Sequence, residues 1–103
     1  MIVVGWNNGS PSKTGAGYGI RIRREDRDKY FEKGWSYVII ELEGDTQVKI
    51  RLSDSFWKDC IELRSAEIGR WMLKQKLAPW PKNKPPKLKL EPIGNRKFRL
   101  SRI

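Results

Sequence analysis

Residues 38–52 read VIIELEGDTQVKIRL, and this stretch decides the fold. Val38, Ile40 and Leu42 occupy alternate positions before the turn sequence Gly44-Asp45-Thr46, and the same alternation resumes after it. A period of two on both sides of a glycine-containing turn is typical of a β-hairpin with one buried face. We therefore predict an antiparallel hairpin here.

The loop length sets the register that we expect for this hairpin. A three-residue loop at 44–46 pairs Leu42 with Val48, Ile40 with Ile50 and Val38 with Leu52. The same register sets Glu41 opposite Lys49, a favourable cross-strand pair. A two-residue loop would place each apolar residue opposite a polar one, and we exclude it for that reason.

A second hairpin is predicted at the carboxyl end. Leu88 and Leu90 alternate with lysines, and after residues 92–95 Phe98 and Leu100 alternate with Lys97 and Arg99. Pairing Leu90 with Phe98 sets Lys89 opposite Arg99. The pattern thus gathers cationic side chains on one side of this hairpin, namely Lys87, Lys89, Lys97 and Arg99.

The chain between and before the hairpins supplies further elements. Residues 2–4 and 18–23 are predicted strands, and residues 5–17 form either a flexible arm or a long hairpin loop. Residues 24–33 fit one or two helical turns. Apolar spacing over residues 55–76 indicates an amphipathic helix, either one long helix or two broken near Arg64-Ser65, and prolines make residues 77–86 a connector.

These elements predict a single α+β domain over residues 1–103. Two antiparallel β-hairpins would form a curved sheet or partial barrel, covered by one long or broken amphipathic helix. No apolar run approaches the roughly 20 residues that span a bilayer, and the start lacks the cationic flank of a secretion signal. We therefore expect a cytoplasmic protein that does not enter membranes.

The composition argues against several kinds of chemistry. The chain has no histidine and one cysteine, so it lacks the commonest general base and any multi-cysteine metal site. Cys60 has apolar neighbours and is expected in the core. The carboxylates Glu25, Asp26 and Asp28 alternate with arginines, as on a solvated surface. We expect no catalysis, no cofactor and no metal.

The positive charge is concentrated near the carboxyl end. Residues 74–103 contain ten Lys or Arg and one acidic residue, a net of +9, whereas residues 1–73 contribute +1 of the total +10. A basic surface most commonly binds a polyanion, so nucleic acid is the expected partner. The candidate phosphate contacts are Lys82, Lys84, Lys87, Lys89, Lys97 and Arg99, with Trp80 as a base-stacking side chain.

Further cations extend this interpretation. Lys74 and Lys76, at the end of the predicted helix, and Arg102 would enlarge the patch. A break near Ser65 would also suit a helix-turn-helix carrying Arg64 and Arg70 into a major groove. The simpler alternatives are a solvated lysine face that discourages edge aggregation and a helix that belongs to the core.

The alternative function is a protein-interaction module, with a homodimer as one form of it. The apolar candidates for such a contact are Trp6, Trp35, Ile39 and Trp80. Ile39 is the one apolar residue on the otherwise polar face of the first hairpin, which is the position that a contact surface would use.

Two resemblances accompany these patterns. Residues 6–10 (WNNGS) and 14–20 (TGAGYGI) resemble the first hairpin of ribonuclease H-type folds, with Glu62 and Glu67 on a following helix. That family holds a divalent metal with an aspartate where Asn8 stands, so the resemblance implies no activity here. Small uncharacterised prokaryotic proteins, some on mobile gene cassettes, have similar segments, namely GIRI (19–22), FW (56–57), ELR (62–64), IGRW (68–71) and PWPK (79–82). This resemblance implies a bacterial source and no assigned function.

Overall fold

The computed structural model describes all 103 residues and places them in one sheet with two helices. The strands are β1 (Ile2–Asn7), β2 (Tyr18–Arg21), β3 (Tyr37–Leu42), β4 (Thr46–Arg51), β5 (Glu62–Arg64), β6 (Lys87–Gly94) and β7 (Lys97–Arg102). The helices are α1 (Arg24–Tyr30) and α2 (Ala66–Lys74), and a 3₁₀ turn spans Asp54–Trp57.

The seven strands form a single curved sheet in the order β4-β3-β7-β6-β1-β2-β5. Every neighbouring pair is antiparallel except β3 with β7, which is parallel. The predicted mixture of helices with a curved sheet or partial barrel is confirmed. The prediction that two hairpins alone build this sheet under one helix is wrong, because β1, β2 and β5 contribute three more strands.

Both predicted hairpins form, but each is shifted by two residues from the expected register. Ile40 lies opposite Val48 rather than Ile50, and Glu91 lies opposite Arg99 rather than Lys97. The loop of the first hairpin is residues 43–45, where Gly44 and Asp45 both have positive φ. A shift of two preserves which side chains face the core, because the period of a strand is two.

The segment 54–77 is neither one helix nor two. Its first part is the 3₁₀ turn followed by β5, which pairs with the edge of β2. Its second part is α2, which begins after Ser65; the Ser65 hydroxyl accepts hydrogen bonds from the backbone N–H groups of Glu67 and Ile68. A serine cap satisfies donors that a helix start leaves unpaired, and this boundary matches the predicted break.

The core lies on one side of the sheet and contains 22 buried apolar residues. Ile68, Trp71 and Met72 of α2 are buried in it, and α2 packs chiefly against β2. Cys60 is exposed, so its expected place in the core is wrong: it lies between the 3₁₀ turn and β5 rather than in a helix, and Ile61 and Leu63 are the buried residues. Neither helix has the length and apolar character needed to span a bilayer.

Candidate functional site

Four of the expected cations lie together on the outer face of the sheet, which is the side opposite the core. The apolar residues of the β6–β7 hairpin, Leu88, Leu90, Phe98 and Leu100, are buried. Their neighbours along each strand therefore project outward. These outward side chains are Lys87, Lys89, Lys97 and Arg99.

Two of these four cations already have carboxylate partners. The Arg99 guanidinium contacts Glu41 Oε1 at 2.9 Å, and Lys89 Nζ contacts Glu91 Oε1 at 3.3 Å. Exposed pairs of this kind contribute about 0–1 kcal/mol to stability, so a phosphate can compete for both cations. Lys87 and Lys97 take part in no ion pair, and they are free to meet an anion.

The shifted register also removes a conflict that the sequence implied. The expected pairing placed Lys89 opposite Arg99, a destabilising like-charge pair. In the structure Lys89 lies opposite Ser101, and Arg99 lies between Glu91 on β6 and Glu41 on β3. Opposite charges thus alternate across these three strands.

The remaining candidate residues lie in the connector between α2 and β6. Lys82 and Lys84 are exposed and without ion pairs, and the connector runs directly into β6 at Lys87. Trp80 is half-buried rather than fully exposed. Its ring centroid lies 5.6 Å from that of the buried Tyr18, so this side chain is anchored as well as accessible.

The outer face carries further cations that the sequence analysis did not assign to a site. Arg21 lies on β2, Arg64 on β5, and Lys49 and Arg51 on β4. With the four cations of the β6–β7 hairpin they make eight, against the three carboxylates Glu41, Glu62 and Glu91, which gives a net of five positive charges. The alternation in residues 18–23 and 48–52 carried the signal for three of these residues, whereas Arg64 needed the unexpected strand β5.

Glu62 fixes two of these arginines in place. Its side chain is only 3% exposed, and its two oxygens contact Arg21 Nη2 at 3.2 Å and Arg64 Nη2 at 2.9 Å. Both guanidinium side chains stay more than half exposed. The buried carboxylate therefore orients two cations that remain available to solvent and to a ligand.

Trp6 adds an aromatic surface beside these arginines. It lies on the outer face of β1, and the Arg64 guanidinium carbon is 4.8 Å from the Trp6 ring centroid, within the range of a cation–π contact. Trp6 falls in the stretch that the sequence analysis assigned to an arm or loop, because Gly5 and Asn7 interrupt the strand pattern. The structure extends β1 through it.

Several cations expected to extend the patch lie elsewhere. Arg102 faces the side of the sheet where α2 packs, and its Nη1 is 3.5 Å from Gln75 Oε1. Lys74 and Lys76 lie at the end of the same helix. Arg70 donates to the Thr14 carbonyl oxygen at 2.9 Å. Because Arg64 belongs to a strand, the helix-turn-helix interpretation is also wrong.

The residues that resemble a ribonuclease H-type fold have structural positions in a loop, in the sheet and in α2. Asn8 Oδ1 accepts a hydrogen bond from the Ser10 backbone N–H at 2.9 Å. Glu62 lies on β5 and Glu67 in the first turn of α2, so the two do not share a helix. No three or more His, Cys, Asp or Glu side chains come together in an arrangement that suits a metal ion.

Comparison of this chain with protein-family models, with curated proteins and with solved structures found no match.

Proposed function

We propose that this protein binds nucleic acid, or another polyanion of similar charge spacing, through the outer face of its sheet. The observation that carries the proposal is the imbalance of eight cations against three carboxylates on that face. The residues proposed to make contact are Lys82, Lys84, Lys87, Lys89, Lys97 and Arg99, with Trp80 beside them. The proposal includes no catalytic step.

The arrangement of charge supports a backbone ligand over a compact anion. The cations are distributed over β4, β7, β6, β2 and β5 rather than gathered in one pocket. A chain of phosphates can neutralise such a row and release its condensed counterions, which makes the affinity salt-dependent. Contacts to phosphate position a protein without reading sequence, so we expect weak sequence specificity.

A matched pair of variants tests the proposal. The outer-face variant replaces with Ser the unpaired Lys87 and Lys97 of that face and Lys82 and Lys84 of the adjoining connector. The control variant replaces Lys13, Lys29, Lys33 and Lys58 with Ser. All four control lysines are exposed, lie outside the sheet and make no ion pair. Both variants lose four positive charges, so only the place of the charge differs.

The measurement is the affinity for a labelled oligonucleotide at 50 and 200 mM salt. Six phosphate contacts with a single strand correspond to a slope of log K against log salt near −4, and the outer-face variant, which lacks four of these cations, should lose most of that slope. The control variant should keep it. Equal weakening of the two variants would mean that net charge alone drives binding, and a flat salt response of the wild type would overturn the proposal.

A homodimeric interaction module is the second candidate, and one observation favours it. β4 is an edge strand that pairs only with β3, and Ile39 lies half-buried on the outer face of the neighbouring strand, between Lys49 and Lys97. An open edge can add a strand from a second copy. Light scattering in high salt tests this function: a dimer that persists there, without retention on heparin, would favour it over polyanion binding.

A further inference from the structure

A cleft opens where β1 extends beyond its neighbour β6. The pairing of β1 with β6 ends at Val4 opposite Lys87, and the Gly5 backbone N–H donates to the Pro86 carbonyl oxygen at 2.9 Å. β1 continues to Asn7 with only β2 beside it. The connector turns away from β1 there, which leaves a cleft of about 320 Å³ between them, near the lower end of the roughly 300–1,000 Å³ typical of ligand pockets.

Two tryptophans line this Trp6–Trp80 cleft. Trp6 enters it from β1 and Trp80 from the connector. Trp80 can sit there because Gly5 has no side chain: a Cβ at that position would lie 3.0 Å from the Trp80 ring. Tyr18 supports Trp80 from within the core, and Arg64 covers part of Trp6, so both indoles are held in position before any ligand arrives.

The polar groups of the cleft suit a nucleobase attached to a phosphate. Arg21 lines it, and the exposed Lys82, Lys84 and Lys87 lie in or next to the connector that forms one wall. Asn7 and Asn83 also line it. The Asn7 Oδ1 already accepts a hydrogen bond from the Gly9 backbone N–H, so Asn83 supplies the amide that can both donate to and accept from a base edge. No carboxylate lines the cleft, so nothing there repels a phosphate.

We propose that the Trp6–Trp80 cleft holds one base of a single-stranded nucleic acid, an inference that rests on the proposed binding of polyanions. Bases in a duplex are stacked and paired, so entering a cleft would require unstacking, whereas a single strand presents them freely. Stacking on indole tolerates any base. The outer-face cations would then hold the backbone on either side.

The test compares two ligands with the same phosphates. The probes are a labelled 12-nucleotide oligo-dT and an abasic 12-mer of the same length, measured by fluorescence anisotropy with the intact protein at one low salt concentration. We expect oligo-dT to bind about tenfold more tightly than the abasic chain, the size of effect that one stacked base supports.

Variants locate the effect in the cleft. Trp80→Leu and Trp6→Leu should each reduce the preference for oligo-dT over the abasic chain towards one. Trp57→Leu is the matched control, because Trp57 packs against Phe56 and Arg27 and does not line the cleft. Asn83→Gly provides a milder change that suits the positive φ of that residue, and we expect it to lower the preference while the fold is retained.

The outcomes separate this inference from the proposed function. If the wild type bound oligo-dT and the abasic chain equally and with salt sensitivity, the proposed base site in the cleft would be overturned and polyanion binding would stand. If neither chain bound at low salt, the base site and the proposed polyanion binding would both be overturned. A tenfold preference for oligo-dT over the abasic chain supports the base site.

Discussion

Arg27 shows how one charged residue joins distant parts of the fold. Its side chain is buried, and its Nη1 donates to the carbonyl oxygens of Phe56 and Lys58 while Nε contacts Asp28 at 3.0 Å. The guanidinium carbon also lies 5.7 Å from the Trp57 ring centroid. A buried charge is tolerated only when it is paired and hydrogen-bonded, and here these partners tie α1 to the 3₁₀ turn.

Removing this guanidinium should destabilise the fold. Arg27→Met keeps much of the buried aliphatic stem but leaves two carbonyl oxygens without their donor, and we expect a loss of about 3 kcal/mol in the free energy of unfolding. Urea denaturation measures it. Arg24→Met on the same helix is the control, because the Arg24–Asp59 pair is exposed; equal losses from both variants would contradict the role given to burial.

Gly69 permits the closest approach between α2 and the loop that joins β1 to β2. A Cβ at Gly69 would lie 2.2 Å from the Gly15 carbonyl oxygen, and a Cβ at Gly15 would lie 2.1 Å from the Ala66 carbonyl oxygen. These contacts are with backbone atoms, which cannot move aside as a flexible side chain can. The two glycines therefore let the loop and the helix pack directly on each other.

The sign of a glycine substitution tests this contact. In an unobstructed helix Gly→Ala stabilises by about 1 kcal/mol, but we expect Gly69→Ala to destabilise this protein by about 2 kcal/mol because the loop must shift. Thermal or urea unfolding measures it. Gly34→Ala is the control: nothing lies within 4 Å of its added Cβ, so its effect should be small. A stabilised Gly69→Ala protein would show that the loop yields freely.

At the scale of elements, the ion pairs across β3, β7 and β6 neutralise part of the outer-face charge. Glu41 forms an ion pair with Arg99, and Glu41→Gln should leave Arg99 unpaired and able to bind a phosphate. For a single-stranded oligonucleotide we expect tighter binding and a slope of log K against log salt that steepens by about 0.7, the contribution of one added phosphate contact. Glu43→Gln makes the same change of charge in the exposed β3–β4 turn, where Glu43 has no ion pair. Equal effects of the two substitutions would indicate general electrostatics rather than a released Arg99.

The sequence predicted the facing of the hairpin residues better than their pairing. Alternation decides which side chains enter the core, and Leu88, Leu90, Phe98 and Leu100 are all buried as expected. Register depends on details that alternation does not contain. A three-residue loop at 43–45 satisfies the same parity as one at 44–46, and the expected Glu41–Lys49 pair gives way to contacts of Glu41 with Arg99 on a strand distant in sequence.

The misassigned helix over residues 55–61 has a different physical cause. Phe56, Trp57, Cys60 and Ile61 follow helical spacing, but a short segment can satisfy two periods at once. β5 pairs with the otherwise open edge of β2. This pairing joins segments distant in sequence, so the local spacing of apolar residues does not reveal it. For the same reason the Trp6–Trp80 cleft could not be predicted from the sequence, because its walls come from residues far apart in the chain.

At the scale of the whole molecule, the concentration of positive charge near the carboxyl end of the sequence corresponds only in part to the concentration of positive charge on the outer face. Arg102, Lys74 and Lys76 belong to the basic carboxyl end but lie on the side of α2, whereas Arg21 and Lys49 come from the nearly neutral first part and join the outer face. The fold therefore builds one basic face from both parts of the chain. A long anion that covers this face should relieve repulsion among its cations and bind the folded state more tightly than the unfolded chain.

Stability in the presence of a polyanion tests that consequence for the molecule as a whole. A ligand at one hundred times its Kd adds about 2.7 kcal/mol to the folded state, and each kcal/mol raises the Tm of a domain of this size by about 4–8 °C. In 50 mM salt, heparin should therefore raise the Tm clearly, and neutral dextran should not. The shift should vanish in 500 mM salt and in the outer-face variant but persist in the control variant. A shift that survives both high salt and loss of the four lysines replaced in the outer-face variant would show that heparin binds elsewhere, because an electrostatic contact cannot outlast the screening and removal of its charges.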